Sequence, residues 1–109
     1  MSKVSYGQVD VELDDESITL KPTLRAYEKI EKKYGGLAQA LHPLSNFNLE
    51  AIAFVLSAGA ALDKKDERDL KERIFARGVS TIAARAVEYV TLLMNPTGRD
   101  ADEEIPEGN

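Results

Sequence analysis

The chain has no cysteine and a single histidine among its 109 residues. Lack of cysteine excludes a disulfide framework, a thiolate metal site and a cysteine nucleophile, and it fits a reducing compartment such as the cytoplasm. His42 sits beside Pro43 with no acid-rich cluster near it, a poor setting for a metal ligand or a general base. Also missing are a Gly-rich phosphate loop, an H-E-x-x-H pair, a nucleophile elbow, a paired-carboxylate constellation and any internal repeat. The sequence therefore predicts no enzyme, no cofactor and no bound metal. Met1 to Tyr6 lacks the apolar core of a secretory signal, so export is not expected.

Charge is unevenly placed. From Asn95 to Asn109 the chain carries five acids against Arg99, which leaves the preceding 94 residues at only −1 of the total −5. A short acidic end with Pro, Gly and one large aliphatic residue buries too little to order itself. Residues 95–109 are expected to form a solvated, disordered tail, the alternative being a docking tail for a basic partner. Residues 1–94 have the length of one domain.

The most apolar stretch, Asn48 to Leu62, is free of charge after its first three residues. Ile52, Phe54, Val55, Leu56 and Leu62 point in all directions at 3.6 residues per turn, and a helix of that kind has to be covered all round. It is too short for a bilayer, which needs about 20 residues. It is expected to be the central helix of the domain, with Asn48 as its N-cap. Leu44 and Phe47 flank that cap and can staple the entry.

Before it, Gln8 to Leu13 alternates, with Val9, Val11 and Leu13 on one face; Ile18 and Leu20 resume the pattern after an acidic turn. Two such runs predict an antiparallel hairpin, which needs helices beneath it. Pro22 and Thr23 open an amphipathic helix with Leu24, Tyr27, Ile30 and Tyr34 on its buried side and Gly35 as its left-handed stop. Leu37 to Leu41 adds one or two turns that His42-Pro43 should end. Beyond the central helix, Asp66 is expected to cap a helix buried along Leu70 and Ile74, with Phe75 at the stripe's edge and Gly78 closing it. A last helix from about Ser80 to Met94 presents Ile82, Ala83, Ala86, Val87, Val90, Leu93 and Met94, and stops at Asn95-Pro96. The expected fold class is α+β: an N-terminal antiparallel β-hairpin packed on a bundle of about four helices.

The last three helices could mimic a helix-turn-helix. Lys64, Lys65, Arg68 and Lys71 are, however, interleaved with Asp63, Asp66, Glu67, Asp69 and Glu72, which cancels the field that a polyphosphate needs. Nucleic acid is not an expected partner.

The run Gly7-Gln8-Val9-Asp10-Val11-Glu12-Leu13, followed by Ile18-Thr19-Leu20-Lys21-Pro22-Thr23-Leu24, Tyr27-Glu28-Lys29-Ile30-Glu31 and Tyr34-Gly35-Gly36-Leu37, resembles the opening of a family of small tailed-phage and gene-transfer-agent proteins. Val55 to Leu62 is similar to that family's apolar helix, which ends near a glycine. The resemblance spans residues 7–94. It departs at Asp14-Asp15, where the family often has Asp-Gly, and in the acidic tail. It implies a tail-morphogenesis protein in the cytoplasm of a bacterial host: a tail assembly chaperone that binds the tape-measure protein during assembly, with the tail-tube protein as a second candidate partner. The alternatives are a structural minor tail component of the virion or a small regulator. No membrane partner is implied, and a homo-oligomer stays open. Such a chaperone needs apolar side chains that its own core does not use, and the candidates are Leu44, Phe47, Phe75 and Tyr89.

Overall fold

A computed structural model describes residues 6–14 and 16–97. Residues 98–109, the greater part of the expected acidic tail, lie outside the described residues. The fold is α+β: a two-stranded antiparallel hairpin followed by five helices.

Strands β1 (Val9–Glu12) and β2 (Ser17–Leu20) pair with Val9 opposite Leu20 and Val11 opposite Ile18. As the alternation predicts, Val9, Val11, Leu13 and Leu20 are buried while Asp10 and Glu12 face outward. The Thr19 hydroxyl donates to Asp10 Oδ1 (2.9 Å) across the outer face, and Glu16 pairs with Arg73 of the fourth helix.

Helix α1 (Leu24–Tyr34) is capped by Thr23, whose Oγ1 accepts from the Ala26 N–H at 3.0 Å, and is stopped by Gly35 at φ 86°. Pro22 lies just outside the cap, not in the first turn. One expectation is corrected here: Leu24 is 72% exposed, and the buried line is Ala26 and Ile30, with Tyr27 and Tyr34 half-buried beside it. At 3.6 residues per turn, Leu24 stands about 200° round the helix from Ala26 but only about 60° from Tyr27.

Helix α2 (Leu37–Ser45) runs through Pro43, correcting the expected end at His42-Pro43. Proline removes one hydrogen bond from the last turn, yet Leu37, Ala40 and Leu44 make a buried stripe that carries the helix on. The Pro43 carbonyl then accepts from the N–H groups of Asn46 (3.2 Å) and Asn48 (3.0 Å), which turns the chain.

Helix α3 (Leu49–Ala60) is the hub. Asn48 caps it as expected, its Oδ1 accepting from the Ala51 N–H at 2.9 Å. Helix α4 spans Lys64–Arg77 and helix α5 Val79–Met94; α3 touches both of them, α1, α2 and β2. Ala51, Ile52, Ala53, Val55, Leu56, Ser57 and Gly59 are all buried. The helix ends at Ala61 in the left-handed region (φ 58°), with the Leu62 N–H returning to the Ser57 carbonyl at 2.9 Å. The N-cap of α4 is Asp63, whose carboxylate accepts from the Asp66 N–H (2.9 Å), which corrects the expected cap at Asp66. Leu70 and Ile74 are buried as expected, and Gly78 joins α4 to α5 at φ 121°.

Along α5 the buried residues are Ile82, Ala83, Ala86, Tyr89, Val90 and Leu93, while Met94 is exposed. Tyr89 lies against Gly59, and its hydroxyl donates to the Lys21 carbonyl at 2.6 Å. The Lys21 N–H donates in turn to the Gly59 carbonyl (3.1 Å), so helix α3, the end of the hairpin and α5 meet at one junction. Burial pushes the Tyr89 phenol up from 10.0 to about 12. The fold holds the neutral phenol, so its contribution is fully present below pH 10 and is lost as pH rises toward 12. Alkaline denaturation monitored by circular dichroism should show a stability loss in that window that is smaller in Tyr89→Phe. An identical slope in both proteins would contradict the assignment.

Candidate functional site

Among the described residues the large apolar side chains left in solvent are Tyr6, Leu24, Phe47, Phe75 and Met94. Of the four side chains expected to be spare, Phe47 (56% exposed) and Phe75 (73%) are at the surface. Leu44 and Tyr89 are not: both are fully buried, which removes them as contact residues in the folded protein. Continuation of α2 through Pro43 turns Leu44 inward, and the missing side chain of Gly59 makes room for Tyr89.

Phe75 borders a shallow depression formed with Asp14, Glu72, Arg73 and Ala76, and Phe47 has no part in it. Phe47 follows α2 with φ at 60°, in the left-handed region that bulky residues rarely adopt. Its N–H donates to the Leu44 carbonyl at 3.1 Å, which holds the tight turn. Glycine at this position relieves about 1 kcal/mol of backbone strain. Phe47→Gly should therefore hold or raise the thermal midpoint, and a drop of several degrees would show that the ring packs on the body.

A different set of residues forms the main apolar concavity, of about 570 Å³. One wall is the approach to β1, namely Tyr6, Gly7 and Gln8. The connection from β2 to α1 supplies Lys21, Pro22 and Thr23; the first turn of α1 supplies Leu24 and Tyr27; and the end of α5 supplies Leu93 and Pro96. Its size is that of a small-ligand or side-chain pocket. Four hydrogen bonds fix its frame: the Gly7 N–H donates to the Pro96 carbonyl (2.9 Å), Lys21 is held through both of its backbone groups, and Thr23 caps α1. Leu24 and Tyr6 (60% exposed) stand open at its edges. Among the described residues Lys21 is the one charged residue lining it.

Two other surfaces are more ordinary. Half-buried Phe54 is flanked edge-on by Tyr34 (centroids 6.0 Å apart, 81°), and the ammonium groups of Lys33 and Lys29 lie 4.9 and 5.9 Å from its ring centre. Lysine stems laid on an aromatic ring cover it from water. The Tyr34 phenol there is pushed up by burial and then by the carboxylates of Glu50 and Glu67. Between β1, the end of α4 and α5, a polar groove carries Asp10, Glu12 and Glu88 together with Arg77 and Arg85, so both signs are mixed and largely cancel. Among the described residues no three His, Cys, Asp or Glu side chains come together in a way that could hold a metal ion, and no helix is long and apolar enough to cross a membrane.

Sequence reasoning missed the apolar cleft. Its residues come from distant parts of the chain, and Leu24, more exposed than Tyr6 at its edges, falls on the spacing of a buried stripe. A leucine that follows a Pro-Thr cap directly, at the first position of the helix, is the one local hint. No known protein family, curated protein or solved structure matches the chain.

Proposed function

We propose that this is a tail-morphogenesis protein of a phage, prophage or gene transfer agent, acting as an assembly chaperone that holds apolar segments of the tape-measure protein until tail-tube subunits polymerise around it. The identity of the partner rests on the resemblance of residues 7–94 to that family. The observation that carries a binding role is the open apolar cleft at Leu24 and Tyr6, framed by fixed backbone. Interface anchors are typically large apolar or aromatic groups seated in pockets, and a helper of this kind needs a groove, not a reactive group. Leu24 and Tyr6 therefore take the place of Leu44 and Tyr89, with Phe47 and Phe75 as separate, secondary contacts.

The test is co-expression with the tape-measure protein of the same tail gene cluster, followed by pull-down. A complex is expected, and Leu24→Asp should weaken it at least tenfold while leaving the thermal midpoint nearly unchanged, because the side chain is exposed. If the tape-measure protein is equally soluble alone and no complex is recovered, the chaperone reading fails. Mass spectrometry of purified particles is expected to find no copies of the protein; stoichiometric copies would make it a structural tail component.

A further inference from the structure

We infer that the cleft selects a linear segment in which a large apolar side chain is followed or preceded closely by a carboxylate; this rests on the reading of the cleft as the partner site. Among the described residues no acid lines this cleft and one base does. That base is Lys21. Its N–H is tied to the Gly59 carbonyl and its carbonyl to the Tyr89 hydroxyl, and Pro22 follows. The backbone that carries the ammonium is therefore fixed at the cleft wall, and the side chain is exposed.

The apolar part of the cleft, with Leu24, Tyr27, Leu93 and Pro96, gives affinity without sign. Lys21 adds the sign. An apolar segment flanked by lysines brings like charge to the rim and is disfavoured, whereas one flanked by glutamates gains a pair. Placing the only charge where it meets the flank of a ligand is how an interface discriminates among otherwise similar apolar partners. An exposed pair of this kind is worth a preference of about two- to fivefold, and it should fade as salt is raised.

The experiment uses the full chain and two fluorescein-labelled synthetic peptides of about twelve residues, with the same leucines and phenylalanine but flanked by glutamates in one and lysines in the other. Anisotropy at low salt should show the glutamate peptide binding about two- to fivefold more tightly. Lys21→Ala should remove that preference, Lys21→Glu should reverse it, and Leu24→Asp should abolish binding of both peptides. Equal affinities, a preference that ignores Lys21, or binding that ignores Leu24 would overturn the inference. Self-association that Leu24→Asp relieves would also overturn it, since the occupant would be a second copy. A tape-measure complex without peptide selectivity sinks this inference and leaves the chaperone reading intact. Selectivity without a tape-measure complex does the reverse.

Discussion

Leu56→Asp is expected to yield an unfolded or insoluble protein. Leu56 is fully buried in α3, a helix in contact with every other helix and with β2, so no rotation of the helix or shift of a neighbour brings a carboxylate there to water. Burial of an unpaired charge costs several kcal/mol even after relaxation. A domain of this size has about 5–15 kcal/mol of stability in all. Phe75→Asp is the matched control: that ring is already in solvent, and surface changes of this kind stay within about 0.5 kcal/mol. Soluble yield and a thermal melt read both variants. A cooperatively folding Leu56→Asp protein with a midpoint near the parent's would contradict the organising role of α3.

Gly59→Val should be nearly as damaging, for the opposite reason. A Cβ at Gly59 would come within 2.8 Å of the Tyr89 ring and 3.0 Å of Leu20 Cβ. The ring cannot back away without losing its hydrogen bond to the Lys21 carbonyl, and Leu20 is pinned in the hairpin. Overpacking of this kind typically costs about 1–3 kcal/mol and sometimes more. Gly59→Ala recovers about 1 kcal/mol of helix propensity, so its net loss should be smaller, about 0–2 kcal/mol. Valine adds two methyl groups to the same gap, and a loss of 3 kcal/mol or more is expected in urea unfolding, about the upper end of the overpacking range. If both variants are as stable as the parent, α3, the hairpin and α5 do not meet as closely as described.

Much of the fold could be read from local pattern because local physics decides it. The alternation through Val9, Val11 and Leu13 fixes the buried face of β1, Asn48 has the side chain that an N-cap requires, and Gly35 takes the positive φ that ends α1. Errors arose where two local choices were nearly equal or where tertiary packing outweighed a propensity. Asp63 and Asp66 are both good caps, and the earlier one wins. Pro43 is a helix breaker by itself, but the buried side chains of Ala40 and Leu44 keep α2 going. Tyr89 counts as a spare side chain on sequence alone because nothing near it in sequence shows that Gly59, thirty residues earlier, leaves space for its ring. The cleft was least legible of all, since Tyr6, Leu24 and Pro96 are brought together only by the closed fold.

Amide hydrogen exchange of the protein, free and bound to its tape-measure partner, tests the central claim most directly. The first N–H groups of a helix have no intrahelical acceptor, so the opening of α1 exchanges readily unless something covers it. On complex formation, slowed exchange is expected over residues 21–27 and 92–96, two of the segments that wall the cleft. The α2–α3 turn around Phe47 should change less. Protection confined to residues 44–50, or a stable complex with no protection at either segment of the cleft, would contradict the assignment of this cleft as the partner site.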